Sequence, residues 1–201
     1  MSVFDRLRIV AAAALLATAF AVRAPTQPTG TTTVSNPREV RRVERFTHVA
    51  AFLNLAQGTV RLVAIVPTDS RASLAAVDTV ASIVLNNPSK RLRAYVILRG
   101  GNEAESSIRA AILAGRASDS RIVVLWDQTA AVSEYWKPGT TPGVWLYDTS
   151  ATFGEQLPKA SLVVAAPAGP DARLNGAALR DTSYELVRTV EAKMGRSGGG
   201  P

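Results

Sequence analysis

The order of apolar segments along this chain predicts an α/β domain with a mostly parallel sheet covered by helices on both faces. Three observations carry the prediction. Predominantly apolar, β-branched runs recur at 60–66, 92–98 and 121–126, each with a single arginine, which is how strands buried on both faces read. Segments with apolar residues every three or four positions lie between them, which is the helical period. The links are short, and strand–helix alternation with short links implies parallel strands joined by crossovers.

Taken in order, the elements justify themselves as follows. Asn36 as N-cap, Pro37 at the first helical position and Glu39 three residues on predict a helix start. Val40, Val43, Phe46, Ala50 and Leu53 continue it, and Gly58 closes it. Arg38, Arg41, Arg42 and Arg45 crowd its outer side; they read either as a solvated face partly paired with Glu39 and Glu44 or as a basic patch. After the 60–66 strand, residues 72–86 place Leu74, Val77, Val80, Ile83 and Val84 on one helical face, ending before Asn87-Pro88. Residues 103–114 form a second such helix with Ile108, Ala111 and Ile112 inward, stopped by Gly115. Residues 128–136 read as a third, ended by Pro138-Gly139, and 143–147 as a fourth strand. Beyond Asp148 the alternation breaks. Residues 162–165 suit an antiparallel edge strand, and a Gly/Pro/Ala loop follows from Pro167. The last helix is expected over 180–194, with Tyr184, Leu186, Val187 and Val190 as its apolar side.

Composition bounds the function. The 201 residues are 47% hydrophobic and 19% charged, with a formal net charge of +7, a globular balance that can bury a core without staples. Such basicity suits an anionic partner, but the arginines are scattered without aromatic interleaving, which argues against nucleic acid. Residues 1–21 read as a signal peptide: Arg6 and Arg8 precede an uncharged run over 9–22, and Ala19-Phe20-Ala21 has peptidase spacing. An uncleaved membrane anchor is the alternative, although the run is short beside the ~20 residues of a bilayer span. Residues 22–36 form a Pro/Thr-rich tether, 37–195 the folded domain and 196–201 a glycine-rich mobile tail. An extracytoplasmic location follows, periplasmic or secreted.

The chain has no cysteine and one histidine, His48. Thiolate chemistry and zinc ligation therefore lack their residues, and neither a metal nor a cofactor is expected. Ser70 and Ser73 stand three apart where the first long strand turns into its helix, and both suit helix capping. A serine nucleophile would need a base, and His48 is the only histidine to supply one. Gly100-Gly101-Asn102 before the 103–114 helix reads as a turn and cap. Trp126, Trp136 and Trp145 are expected near one end of the sheet.

Three segments, in their order, resemble the thioredoxin-like superfamily. Ser70-Arg71-Ala72-Ser73 occupies the place of its Cys-x-x-Cys turn. Leu125-Trp126-Asp127, followed by a segment ending in Tyr135-Trp136, is similar to its aspartate and aromatic-ended helix. Gly139-Thr140-Thr141-Pro142-Gly143-Val144-Trp145-Leu146-Tyr147-Asp148 looks like its Gly-Thr-Pro segment and the following strand. The resemblance spans about residues 48–165 and the final helix. It implies a thioredoxin-like central sheet flanked by helices, with an added helix–strand pair like that of peroxiredoxins and exported cytochrome-maturation proteins. It also implies a vestigial active-site turn at Ser70, Arg71, Ala72 and Ser73, and a cis-proline at Pro142, with Thr141, on a peptide-facing strand. Both cysteines are missing, so dithiol redox activity is not expected. The leading expectation is a module that binds or scaffolds a protein or peptide. The alternatives are a cysteine-free enzyme using the Ser70 turn with Asp69 or Asp127, or a basic surface binder of anionic polymer or membrane.

Overall fold

The computed structural model describes residues 40–68, 72–101, 104–169 and 173–197, with the side chains of residues 104–108 and 197 excepted. The signal segment, the tether and the expected cap at Asn36 lie outside these residues. Six strands, β1 (Arg41–Arg42), β2 (Val60–Pro67), β3 (Leu92–Arg99), β4 (Ile122–Asp127), β5 (Gly143–Tyr147) and β6 (Leu162–Ala165), form one sheet in the order β1-β4-β3-β2-β5-β6. The first four are mutually parallel; β5 and β6 run antiparallel to their neighbours. Helices α1 (Phe46–Leu55), α2 (Ala72–Leu85), α3 (Ala104–Arg116) and α4 (Gly176–Ser197) flank the sheet. This order and these directions match the expected thioredoxin-like sheet with one added helix–strand pair, β4 lying between β1 and β3.

The core follows from the period of two along each strand. Val60, Leu62, Ala64 and Val66 of β2 meet Val77, Val80 and Val84 of α2 and Leu179 and Val187 of α4 on one face. Val63 and Ile65 meet Val49 and Leu53 of α1, with Trp136, Tyr147 and Phe153, on the other. All eight residues of β2 are buried. Each Val- to Phe-sized side chain so buried contributes about 1.5–3 kcal/mol, which makes β2 the centre of stability.

Four sequence expectations are corrected. The helix expected to run on through Val40 and Val43 to Leu53 is interrupted: residues 41 and 42 form a strand, and α1 starts at Phe46, behind an extended Arg45. Pairing decides this, because β1 covers part of the open edge of β4 (Arg41 opposite Leu125) and the Val43 amide donates to the Trp126 carbonyl at 2.9 Å. Tertiary hydrogen bonding here overrides the local helical spacing of Val40 and Val43. The expected third helix shrinks to a 3-10 turn over Ser133–Trp136. The Asp127 carboxylate accepts the amides of Val132 and Ser133, and Ala130 (φ 62°) and Lys137 (φ 47°) are left-handed, which no α-helix passes through. On α3 the buried residues include Ala110, Leu113 and Ala114, while Ile112, expected inward, is 54% exposed. Finally, α4 starts at Gly176 and runs through Arg196 and Ser197, so the expected tail begins in helix.

Candidate functional site

β2 delivers the chain at Pro67 to the head of α2. There the Ser73 hydroxyl, 1% exposed, donates to the Pro67 carbonyl. Ser73 is thereby a buried tie between strand end and helix start, with its proton engaged. Ala72 opens the helix. Asp69, Ser70 and Arg71 lie outside the described residues. Thr68 fixes the turn from the other side: its amide donates to the Arg99 carbonyl at 3.1 Å and its hydroxyl to the Gly100 carbonyl at 3.2 Å. Gly100 and Gly101 both have positive φ, which a glycine turn between β3 and α3 supplies without steric cost.

The register brings Pro142 to the same end of the sheet. Gly143, the first residue of β5, is opposite Ile65, two residues before Pro67. Thr141 and Pro142 therefore approach β5 at the end of the sheet where β2 finishes at Pro67. The expected cis-proline is corrected: there is no cis peptide bond among the described residues, and Thr141–Pro142 is trans. The surrounding bonds give the reason. The Thr141 hydroxyl donates to the Ala166 carbonyl at 2.7 Å, and the Ala166 amide donates to the Pro142 carbonyl at 2.8 Å. The chain is thus held extended against the end of β6, and the trans isomer keeps its intrinsic advantage of about 0.5–1 kcal/mol. The likeness to the thioredoxin fold consequently stands on the sheet and not on this proline.

Three further residues complete the rim formed by the carboxyl ends of β2, β3 and β4, the region where open α/β sheets place ligands. Arg99 ends β3, binds Glu134 Oε1 at 2.6 Å and donates to the Gly139 carbonyl at 3.0 Å. It thereby positions the segment that leads to Thr140 and Thr141. Trp126 donates its indole N–H to the Gly100 carbonyl at 3.1 Å. Asp127 is fully buried, with Oδ2 on the Val132 and Ser133 amides and Oδ1 without a hydrogen-bond partner. The sequence reading missed Arg99; the available signal was a charged residue directly after the apolar run Ala94-Tyr95-Val96-Ile97-Leu98.

His48 does not join this rim. It is exposed on α1 and lines a cavity with Arg41 and Arg42 of β1. β1 lies three strands from β2, about 14 Å at ordinary strand spacing. A Ser73 hydroxyl already bonded to Pro67 has no imidazole beside it. The three tryptophans do not form one cluster: Trp126 packs on the α2–α4 face, Trp136 and Trp145 on the α1 face. The described residues of this rim bring together hydroxyls, backbone groups, the Asp127 carboxylate and the Arg99 guanidinium.

No protein-family model and no curated protein matches the chain. Among solved structures it is similar to a secreted disulfide oxidoreductase of Mycobacterium tuberculosis homologous to E. coli DsbE. That likeness has 13% identity and a TM-score of 0.48 over 66% of this chain and 86% of that one. M. tuberculosis DsbF aligns at 10% identity and TM-score 0.47, covering 66% of this chain and 84% of the other. A putative thiol:disulfide interchange protein DsbE from Chlorobium tepidum aligns at 9% and 0.46, covering 69% and 84%. The fold itself is given by the strand order and directions. Unlike a dithiol oxidoreductase, this chain contains no cysteine.

Proposed function

We propose that this protein is an exported thioredoxin-fold module that binds a protein or peptide partner and performs no dithiol exchange. The observation that carries the reading is the cysteine-free sequence, joined to a Ser73 hydroxyl held by the Pro67 carbonyl. Disulfide exchange needs a thiolate, and a buried, hydrogen-bonded serine cannot replace one. Extracytoplasmic location belongs to the same reading and is supported by the basic, apolar pattern of residues 1–21. Among the described residues no helix is long and apolar enough to cross a membrane.

Within this reading, the segment before β5 is the surface on which a peptide would lie. β5 is flanked on both sides, by β2 and β6, so a peptide strand has no free edge there. Contact falls instead on the segment before it, where Thr140 is exposed and Thr141 half-buried, held in place through Arg99 and Gly139. Fluorescence anisotropy against a panel of extended, labelled peptides tests this. Wild-type protein is expected to bind a subset in the micromolar range, with Thr140→Lys/Thr141→Lys weakening binding at least tenfold. Unchanged binding in that variant would move the site elsewhere. An esterase or peptidase activity lost in Ser70→Ala, with the fold intact, would favour an enzyme.

A further inference from the structure

The β1 edge of the sheet carries a second surface, three strands away from the α2 turn. Arg41 and Arg42 are exposed on β1, Arg45 is exposed at the head of α1, and His48 is exposed one turn later. Over residues 40–55 the only acidic residue is Glu44, which lies 3.5 Å from Arg42 Nε. The surface is also apolar. His48, Ala51, Phe52 and Leu55 follow one another at i, i+3, i+4 and i+7 along α1, one continuous stripe of a helix. Leu55 is 84% exposed, more than any other large hydrophobic residue described. The Arg41 guanidinium stacks 4.9 Å from the centre of the Phe52 ring. Together Arg41, Arg42, Val43, His48, Ala51 and Phe52 line an open cavity of 330 Å³.

A basic rim over an apolar floor complements one kind of partner better than others. A bare polyanion would use the arginines and leave Leu55 and Ala51 in water. A phospholipid offers both halves, a headgroup phosphate and an acyl boundary, and interfacial helices combine these two terms in the same way. The rest of the chain agrees. Residues 9–22 form an uncharged apolar run that adds bilayer affinity wherever it is retained. We propose that the β1–α1 edge binds the surface of an anionic phospholipid bilayer. Arg41, Arg42 and Arg45 meet headgroup phosphates, and Leu55 with Ala51 enters the interface.

The test is co-sedimentation of the full chain with vesicles of phosphatidylcholine, alone or with one quarter phosphatidylglycerol, at low and high salt. The apolar run contributes to both vesicle types, so the informative quantity is the ratio of the two affinities. Neutralising Arg41, Arg42 and Arg45 to Gln is expected to reduce that ratio about fivefold per arginine, about 100-fold for all three. Added salt is expected to reduce the wild-type ratio in the same direction. Leu55→Gln is expected to weaken binding to both vesicles about tenfold, with the salt response retained. An unchanged ratio in the triple variant overturns the proposal. So does wild-type vesicle affinity in Leu55→Gln, a change confined to an exposed side chain that leaves the fold intact and decides alone if the triple variant misfolds. Heparin binding that needs the arginines, together with vesicle binding that does not, assigns the patch to a polyanion and likewise overturns it.

Discussion

Arg61 lies in the middle of β2 with its side chain fully buried, and the surrounding backbone explains how the core tolerates it. Its guanidinium donates to the Leu53 carbonyl at 3.0 Å, the Asp148 carbonyl at 2.8 Å and the Ala151 carbonyl at 2.7 Å, and stacks 5.2 Å from the Phe153 ring. One side chain so ties the end of α1 to the loop after β5. Burial holds its pKa below the ordinary arginine value. Arg61→Ala is expected to lower unfolding free energy by about 3–5 kcal/mol, since it strands two buried acceptors and one half-buried one; urea denaturation measures it. Ser73→Ala removes the bond to Pro67 and is expected to lose about 1–2 kcal/mol by the same method. Tyr147 gives a pH signature. Its hydroxyl accepts the Trp136 indole N–H at 3.0 Å, and burial pushes its pKa from 10.0 up to about 12. A folded-state pKa above the unfolded one means the native protein retains a proton that the unfolded chain releases. The stabilisation is therefore complete below pH 10 and is lost as pH rises toward 12, by about 3 kcal/mol in all. Urea midpoints between pH 9 and 12 should show that loss, and Tyr147→Phe should flatten it.

At the scale of elements, β5 depends on a close approach. A Cβ placed on Gly143 would lie 2.8 Å from the Trp145 ring, so the indole folds back over the start of its own strand. Gly143→Ala is expected to displace Trp145, shift its fluorescence and lose about 1–3 kcal/mol through overpacking. The strands were the elements most legible in the sequence, because β-branched runs such as 60–66 and 92–98 have a single outcome once both faces are buried. The helices α2 and α4 were legible through Val77, Val80, Val84 and Val187, which are buried as their spacing required. What the sequence did not reveal were the long-range decisions. The pairing of Arg41 with Leu125, 84 positions away, turned a helical pattern into a strand, and the Asp127 carboxylate broke the expected third helix from its N-terminal side. Arg61 was hidden for the same reason, since its three acceptors belong to segments far apart in the chain.

For the whole molecule, the thioredoxin-like sheet was readable from the alternation of elements, whereas the site was readable only in part. Ser73 sits at the expected turn, and the register brings Pro142 to that end of the sheet, yet the prolyl bond is trans and Arg99 went unnoticed. A proline isomer is set by its neighbours, here Thr141 and Ala166, and no local motif encodes them. The most direct measurement of the central claim is an NMR titration of the isotopically labelled full chain with the tightest peptide of the panel, with and without a reducing agent. Shift changes confined to the Pro67–Ser73 and Gly139–Gly143 segments, identical in both conditions, are the predicted result. Shift changes that avoid these two segments, or turnover of the peptide that disappears in Ser70→Ala, would contradict a binding role for this end of the sheet.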